Sequence, residues 1–265
     1  MYVPLNVSND MSQPNFYQMN DYKQISNQPS SLHIIKSLTG IQMQEQYNSS
    51  TFNQGSQNSR ILNLYATNFC GQLISQIPLF QCVSNPQSST ISSGQLKSLL
   101  LFVQKIEQPN SQQMPNSLNQ NGLFLRLERK WQFSFLCFNR PRLNVFYVEK
   151  GQNKLLGYVE VPYTFITKSC YIFDGNNNFK YKITKRLLGQ SKTYSPFPES
   201  NRYDLDYFDT KDSQDQVISQ MRKQPKSEYY FDQQANFTIV FPEISSAEGK
   251  VLILAAALIF ECMYI

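Results

Sequence analysis

Residues 236–242 read Asn236-Phe237-Thr238-Ile239-Val240-Phe241-Pro242, and after a short polar linker residues 251–265 read VLILAAALIFECMYI. The two segments carry different periods. Phe237, Ile239 and Phe241 alternate with Thr238 and Val240, as in a half-buried strand, and Pro242 ends it. In Val251–Ile265 only Glu261 interrupts the apolar character. A helix that is apolar on every side needs enclosure by protein or lipid. Ser245-Ser246-Ala247-Glu248, a Ser with Glu three residues on, fits a capping box that would start it. Fifteen residues at about 1.5 Å each reach about 22 Å, short of a hydrocarbon core of about 30 Å. Length favours a helix inside a protein core. The alternative is a membrane span beginning near Ala247, with Glu261 at the interface. In both, Val251, Leu252, Leu254, Leu258 and Phe260 form the apolar body.

Upstream the alternation recurs. Leu123, Leu125, Leu127, Trp131, Phe133 and Phe135 share one parity, and Arg126, Glu128, Lys130, Gln132 and Ser134 hold the other. Arg129 interrupts the buried set, which predicts a turn or bulge there. Leu143–Val148 and Leu155–Val161 read as strands joined by the turn-like Lys150-Gly151-Gln152-Asn153. Tyr171–Phe173 and Phe179–Ile183 flank Asp174-Gly175-Asn176-Asn177-Asn178, a hairpin loop. Tyr203, Leu205 and Tyr207 alternate with Asp204 and Asp206. Ile41, Met43, Glu45 and Tyr47 alternate with polar residues, and Ile61–Tyr65 is a short apolar segment. Leu32–Leu38 has near-helical spacing that Gly40 stops. Many short strands predict an all-β sandwich or barrel.

The chain of 265 residues as a whole is polar but weakly charged, with 16% charged residues and a net charge of +5. Residues 1–30 are rich in Asn, Gln, Ser and Pro and read as a disordered tail, available to protein partners. Residues 31–265 form the folded domain, with polar loop insertions near 84–94 and 108–122. The single histidine, His33, argues against a multi-imidazole metal site or a Ser-His-Asp triad. Five cysteines without CxxC spacing imply no disulfide scaffold. The N-terminus has no basic segment followed by an apolar run, so a protein that is not secreted is expected. Glycine-rich phosphate loops are absent, and nothing reads as an enzyme or as a specific nucleic-acid binder.

Two charge runs stand out. Lys180, Lys182, Lys185, Arg186 and Lys192 follow one another with no acid between Asp174 and Glu199. They are candidates for anionic phospholipid headgroups, with Arg126, Arg129, Lys130, Arg140 and Arg142 as an extension of the same surface. Asp204, Asp206, Asp209, Asp212 and Asp215 lack the central Gly and terminal Glu of an EF-hand loop, so they read as a strand's wet face and its turn. Arg222-Lys223-Gln224-Pro225-Lys226 is a short basic element, the one hint of a nuclear adaptor.

The C-terminal strand ending Asn236–Pro242, its linker and the apolar helix resemble the phospholipid scramblases. Leu155-Leu156-Gly157-Tyr158-Val159-Glu160 is similar to a Gly-Tyr-Val strand of that family, and Arg140-Pro141 to its Arg-Pro pair. Leu38-Thr39-Gly40 and the stretch Glu45–Tyr47 resemble its first block. The resemblance spans roughly residues 30–265. It implies a tubby-like fold: a closed antiparallel β-barrel of about twelve strands around a central apolar C-terminal helix. It also implies a protein at the cytosolic face of the plasma membrane that moves phospholipids between leaflets in both directions without ATP. The alternative is a tubby-like membrane-tethered module that binds anionic phospholipid headgroups and recruits partners. Of the family's calcium stretch, Asp232, Asn236 and Glu243 remain, an eroded set beside the ~6–8 oxygens that calcium takes. Of its acylated cysteine cluster, Cys137 remains, beside Phe138 and Arg140. One acyl chain anchors only marginally.

Overall fold

The computed structural model describes residues 30–46, 61–84, 99–106, 122–129, 142–149, 151–162, 169–186, 197, 205–224 and 236–263. A short helix, α1 (Ser31–Ser37), opens this set. Twelve strands follow: β1 (Gly40–Glu45), β2 (Ile61–Thr67), β3 (Phe80–Ser84), β4 (Leu99–Lys105), β5 (Leu123–Arg129), β6 (Arg142–Glu149), β7 (Gln152–Glu160), β8 (Ser169–Asp174), β9 (Phe179–Lys185), β10 (Asp206–Lys211), β11 (Val217–Gln224) and β12 (Asn236–Val240). The chain ends in α2 (Ala247–Met263). Each strand pairs antiparallel with the next, and β1 pairs with β12 to close the barrel. Closure leaves no sheet edge open for pairing with another chain.

Period two decides which side chains point inward. Leu125 and Leu127 of β5, Leu143 and Val145 of β6, Met221 of β11, and Phe237 and Ile239 of β12 are all fully or almost fully buried. They surround α2, whose residues Val251 through Phe260 are each at most 2% exposed. The sequence left two enclosures open for this helix, and the barrel interior is the one that forms. Among the described residues no helix is long and apolar enough to cross a membrane. Each Leu, Ile or Phe buried here contributes about 1.5–3 kcal/mol relative to exposure.

The helix starts one residue later than its sequence signature. Ser246, not Ser245, caps it: Gly249 N–H donates to Ser246 Oγ at 3.1 Å, while Ser245 Oγ donates to Pro242 O at 2.7 Å. Gly249 occupies the position where a capping box would have Glu. Small residues let α2 lie close to the wall. A Cβ on Gly157 would sit 2.2 Å from Phe173 O in β8 and 3.1 Å from Leu252 Cδ2 of the helix.

Two ionisable residues fasten the ends of α2. Lys250, 6% exposed, donates to Lys36 O at 2.7 Å and Leu38 O at 2.6 Å. It thereby satisfies carbonyls that end α1 and seats α1 against α2. Burial pushes its pKa below the ordinary lysine value. At the other end Glu261, 3% exposed, pairs with Lys223 of β11 at 3.0 Å. The odd acid of the apolar run is a buried, paired carboxylate.

Sequence reading and structure differ at several strands. Arg129 is not out of phase: it ends β5 on the same buried face as Leu125 and Leu127, and Trp131, Phe133 and Phe135 beyond it lie outside the described residues. The strand read from Tyr203 begins instead at Asp206, with Phe208 and Thr210 inward and Tyr207 on the other face. β3, β4 and β11 carry no clean alternation and went unread. Strand Gln81, Gln104 and Gln220 are buried among them, which masks the period.

Candidate functional site

The up-and-down path gathers connections at two rims. At the entry rim lie α1, the β2–β3 loop (residues 68–79), the turns β6–β7, β8–β9 and β10–β11, and the linker into α2. At the far rim β12 begins and α2 ends. The basic strip runs down β9 between them, on the barrel wall.

Each described member of that strip has a carboxylate partner. Lys180 Nζ lies 3.3 Å from Asp174, Lys182 Nζ 3.8 Å from Asp215, and Lys185 Nζ 2.7 Å from Asp206. Arg186 clasps Asp209 with two bonds, Nε at 3.2 Å and Nη2 at 2.5 Å. Gln220 donates to the same carboxylate at 2.9 Å. The register explains the pattern. β10 lies antiparallel to β9 with Phe208 opposite Lys185 and Lys211 opposite Lys182, so the acidic run is laid diagonally across the basic one. Two features that read as separate in sequence form one ion-pair girdle.

The acidic run is thereby committed. Asp206, Asp209 and Asp215 face cations, and Asp212 Oδ1 accepts from Gln214 N and Gln216 N at 2.9 Å, shaping the β10–β11 turn. This is the strand-and-turn role expected of it, and Asp204 lies outside the described residues. Among the extension residues, Arg126 pairs with Glu128 at 3.0 Å and Arg142 stacks on the Tyr158 ring at 3.9 Å. The short basic element is also occupied: Arg222 lies over Phe197 at 4.7 Å, and Lys223 holds Glu261.

Asp174 closes the β8–β9 hairpin. Its carboxyl is held below the usual carboxylate range, first by the Asn178 backbone N–H at 2.8 Å, then by the Asn178 side chain, Lys180 and the Asn176 N–H. A depressed folded pKa contributes stability above the unfolded value that disappears as pH falls through the folded value. The expected result for Asp174→Asn is a flatter acid limb: urea midpoints measured between about pH 5 and pH 2 fall less steeply than in the parent protein. Equal slopes would remove Asp174 from the acid response.

The calcium candidates are not brought together. β12 carries Asn236 at the far rim, and Glu243 is exposed in the linker beyond the entry rim. Five strand residues at about 3.3 Å per residue keep them more than about 13 Å apart, whereas ligands of one calcium lie about 2.3–2.6 Å from it. Asp232 lies outside the described residues, as do Lys192, Lys130, Arg140 and the acylation candidate Cys137. Among the described residues no group of three His, Cys, Asp or Glu side chains could hold a metal ion. Cys82 and Cys170 are buried, and burial pushes the Cys170 thiol pKa up, so both are packing residues.

One surface feature went unread. The β2–β3 loop exposes Phe69, Leu73, Ile74 and Ile77 around the exposed thiol of Cys70. Its signal was available: no charged residue occurs between Arg60 and Lys97.

These features define a closed twelve-stranded antiparallel barrel filled by its own C-terminal helix, with paired charges along β9 and β10 and an exposed apolar β2–β3 loop at the entry rim. No family model and no solved structure matches the chain.

Proposed function

We propose that this protein acts on membrane phospholipids as a scramblase-type barrel, moving them between leaflets in both directions without ATP and without covalent chemistry. One observation supports the reading above others. The resemblance carried by Asn236–Pro242 and the apolar helix implied a specific architecture, and a twelve-stranded closed barrel around that helix is what these residues build. The plasma membrane's cytosolic face is the setting that this reading brings with it. Calcium would be a weak effector, because Asn236 and Glu243 are far apart.

A second reading has its own support. The barrel interior is occupied by α2, so it offers no polar path for a headgroup, and a path would have to run along the outside of the barrel or between copies. That favours a membrane-tethered module that binds phospholipid surfaces and recruits partners through residues 1–30. Binding to anionic headgroups through β9 would compete with the girdle carboxylates, so this module needs another contact surface.

Leaflet exchange of fluorescent phospholipid in liposomes reconstituted with the full chain separates the two, measured with and without millimolar-range calcium, the weak end of protein calcium sites. Exchange above protein-free liposomes, with little calcium dependence, is the expected result. No exchange by folded, membrane-associated protein would discard scrambling and leave the binding module.

A further inference from the structure

Among the described residues, all six exposed large hydrophobic side chains lie at the entry rim. Phe69, Leu73, Ile74 and Ile77 project from the β2–β3 loop, Leu155 from the β6–β7 hairpin, and Ile244 from the linker into α2. Ile74 is 65% and Ile244 97% exposed. Such a concentration marks an interaction surface.

The loop is built rather than loose. Asn68 Oδ1 accepts from Cys70 N at 3.0 Å and Gln72 N at 2.9 Å, and Asn68 N donates to Gln72 O at 2.9 Å. Ile74 N donates to Ala66 O at 2.9 Å, and Leu79 N to Leu64 O at 2.8 Å. Gly71 is buried against Phe197 and Thr238: a Cβ there would lie 2.7 Å from the Phe197 ring. These backbone groups have their partners inside the loop or on β2, so entering an apolar medium would leave them satisfied.

We propose that this rim is a membrane-docking surface, with Phe69, Leu73, Ile74 and Ile77 inserted into the headgroup–acyl boundary of a phospholipid bilayer. Three observations favour lipid over a protein partner. The stretch from Ile61 to Leu96 has no charge to desolvate. The anchors are Phe, Leu and Ile, whereas protein hot spots favour Trp, Tyr and Arg. The apolar residues sit on projecting connections rather than in a groove. Lys180, Lys182 and Lys211, on the opposite side of the same rim, are paired with carboxylates, so attachment through the charge-free β2–β3 loop depends on apolar insertion rather than lipid charge. The inference is independent of scrambling: it concerns where the barrel touches a bilayer, whatever it does there.

The test is cosedimentation of the full chain with vesicles of zwitterionic phosphatidylcholine, in low and high salt. The expected result is binding that salt barely changes, reduced about tenfold or more in the double variant Ile74→Asn, Ile77→Asn. Both positions are exposed, so near-native thermal melting is expected for that variant. An Ile74→Trp chain in a Trp131→Phe background should shift its emission to the blue on adding vesicles and be quenched by brominated phosphatidylcholine. Gln214→Trp, in the β10–β11 turn and in the same Trp131→Phe background, provides the comparison and should respond less. Absence of vesicle binding, or full binding by the folded double variant, overturns the proposal. So does a concentration-dependent dimer that the double variant abolishes while vesicles are ignored, because the occupant would then be a second copy. Vesicle binding without leaflet exchange keeps this surface and removes scrambling, so the two failures are distinguishable.

Discussion

Replacing Gly157 with alanine is expected to destabilise the barrel by about 3 kcal/mol, the upper end of overpacking costs. A Cβ there meets a backbone oxygen, Phe173 O, at 2.2 Å, and Asp174 Cα at 3.0 Å. Neither can turn aside as a side chain would. The third neighbour, Leu252 Cδ2 at 3.1 Å, belongs to α2, so relief in that direction would move the helix. Gly151 is the comparison. Nothing lies within 4 Å of its missing Cβ, but its φ of +78° carries a left-handed penalty of about 1 kcal/mol for alanine. Thermal unfolding should separate the two, with Gly157→Ala lowering Tm by roughly 6–12 °C and Gly151→Ala by roughly 2–4 °C. If the two variants melt alike, close approach at Gly157 is not what holds β7, β8 and α2 together.

Arg186→Ala is expected to cost about 3 kcal/mol, because removing one partner strands a largely buried carboxylate. The side chains of Arg186 and Asp209 are 12% and 14% exposed, and only Gln220 would remain on Asp209 from the bonds described here. Lys185→Ala should cost well under 1 kcal/mol, since the Lys185–Asp206 pair is 30% and 36% exposed and screened by water. Denaturant unfolding of both variants, and of Arg186→Ala with Asp209→Ala, tests this. The double variant should be no worse than Arg186→Ala by more than about 1 kcal/mol, because no buried charge is left alone. Equal costs at Arg186 and Lys185 would refute the structural reading of the girdle. A reversal of Lys182, Lys185 and Arg186 therefore disturbs the wall as well as any headgroup contact. The exposed pair of substitutions Lys180→Gln and Lys182→Gln is the cleaner probe of lipid charge.

Much of the architecture was legible because its signals are local. The hairpin Asp174–Asn178 was readable from residues that tolerate tight turns, and Asn177 does adopt φ +67°. Strands β6, β7 and β9 were readable from alternation, and α1 from its spacing. The shortfalls also have physical causes. β11 reads Val217-Ile218-Ser219-Gln220-Met221-Arg222-Lys223-Gln224, and its polar residues look exposed until their partners are known. Gln220 is buried because Asp209, opposite it on β10, accepts from its side chain, and Ser219 because its hydroxyl donates to Val240 O. Lys250 is buried for a reason no local pattern carries: the carbonyls it binds, Lys36 O and Leu38 O, belong to the end of α1, more than two hundred residues away.

By itself the sequence determined that the last helix must be enclosed, since fifteen residues with one charge leave no face for water. It also determined that short amphipathic strands would do the enclosing. Only the tertiary structure decided that the enclosure is the barrel's own interior, that the basic run faces the acidic run, that Asn236 and Glu243 lie at opposite rims, and that the exposed apolar residues gather at one end. Periodicity is written over neighbouring residues and fixes which face of an element is dry. Register, closure and rim composition join residues far apart in the chain, and they are set only when every strand has found its partner.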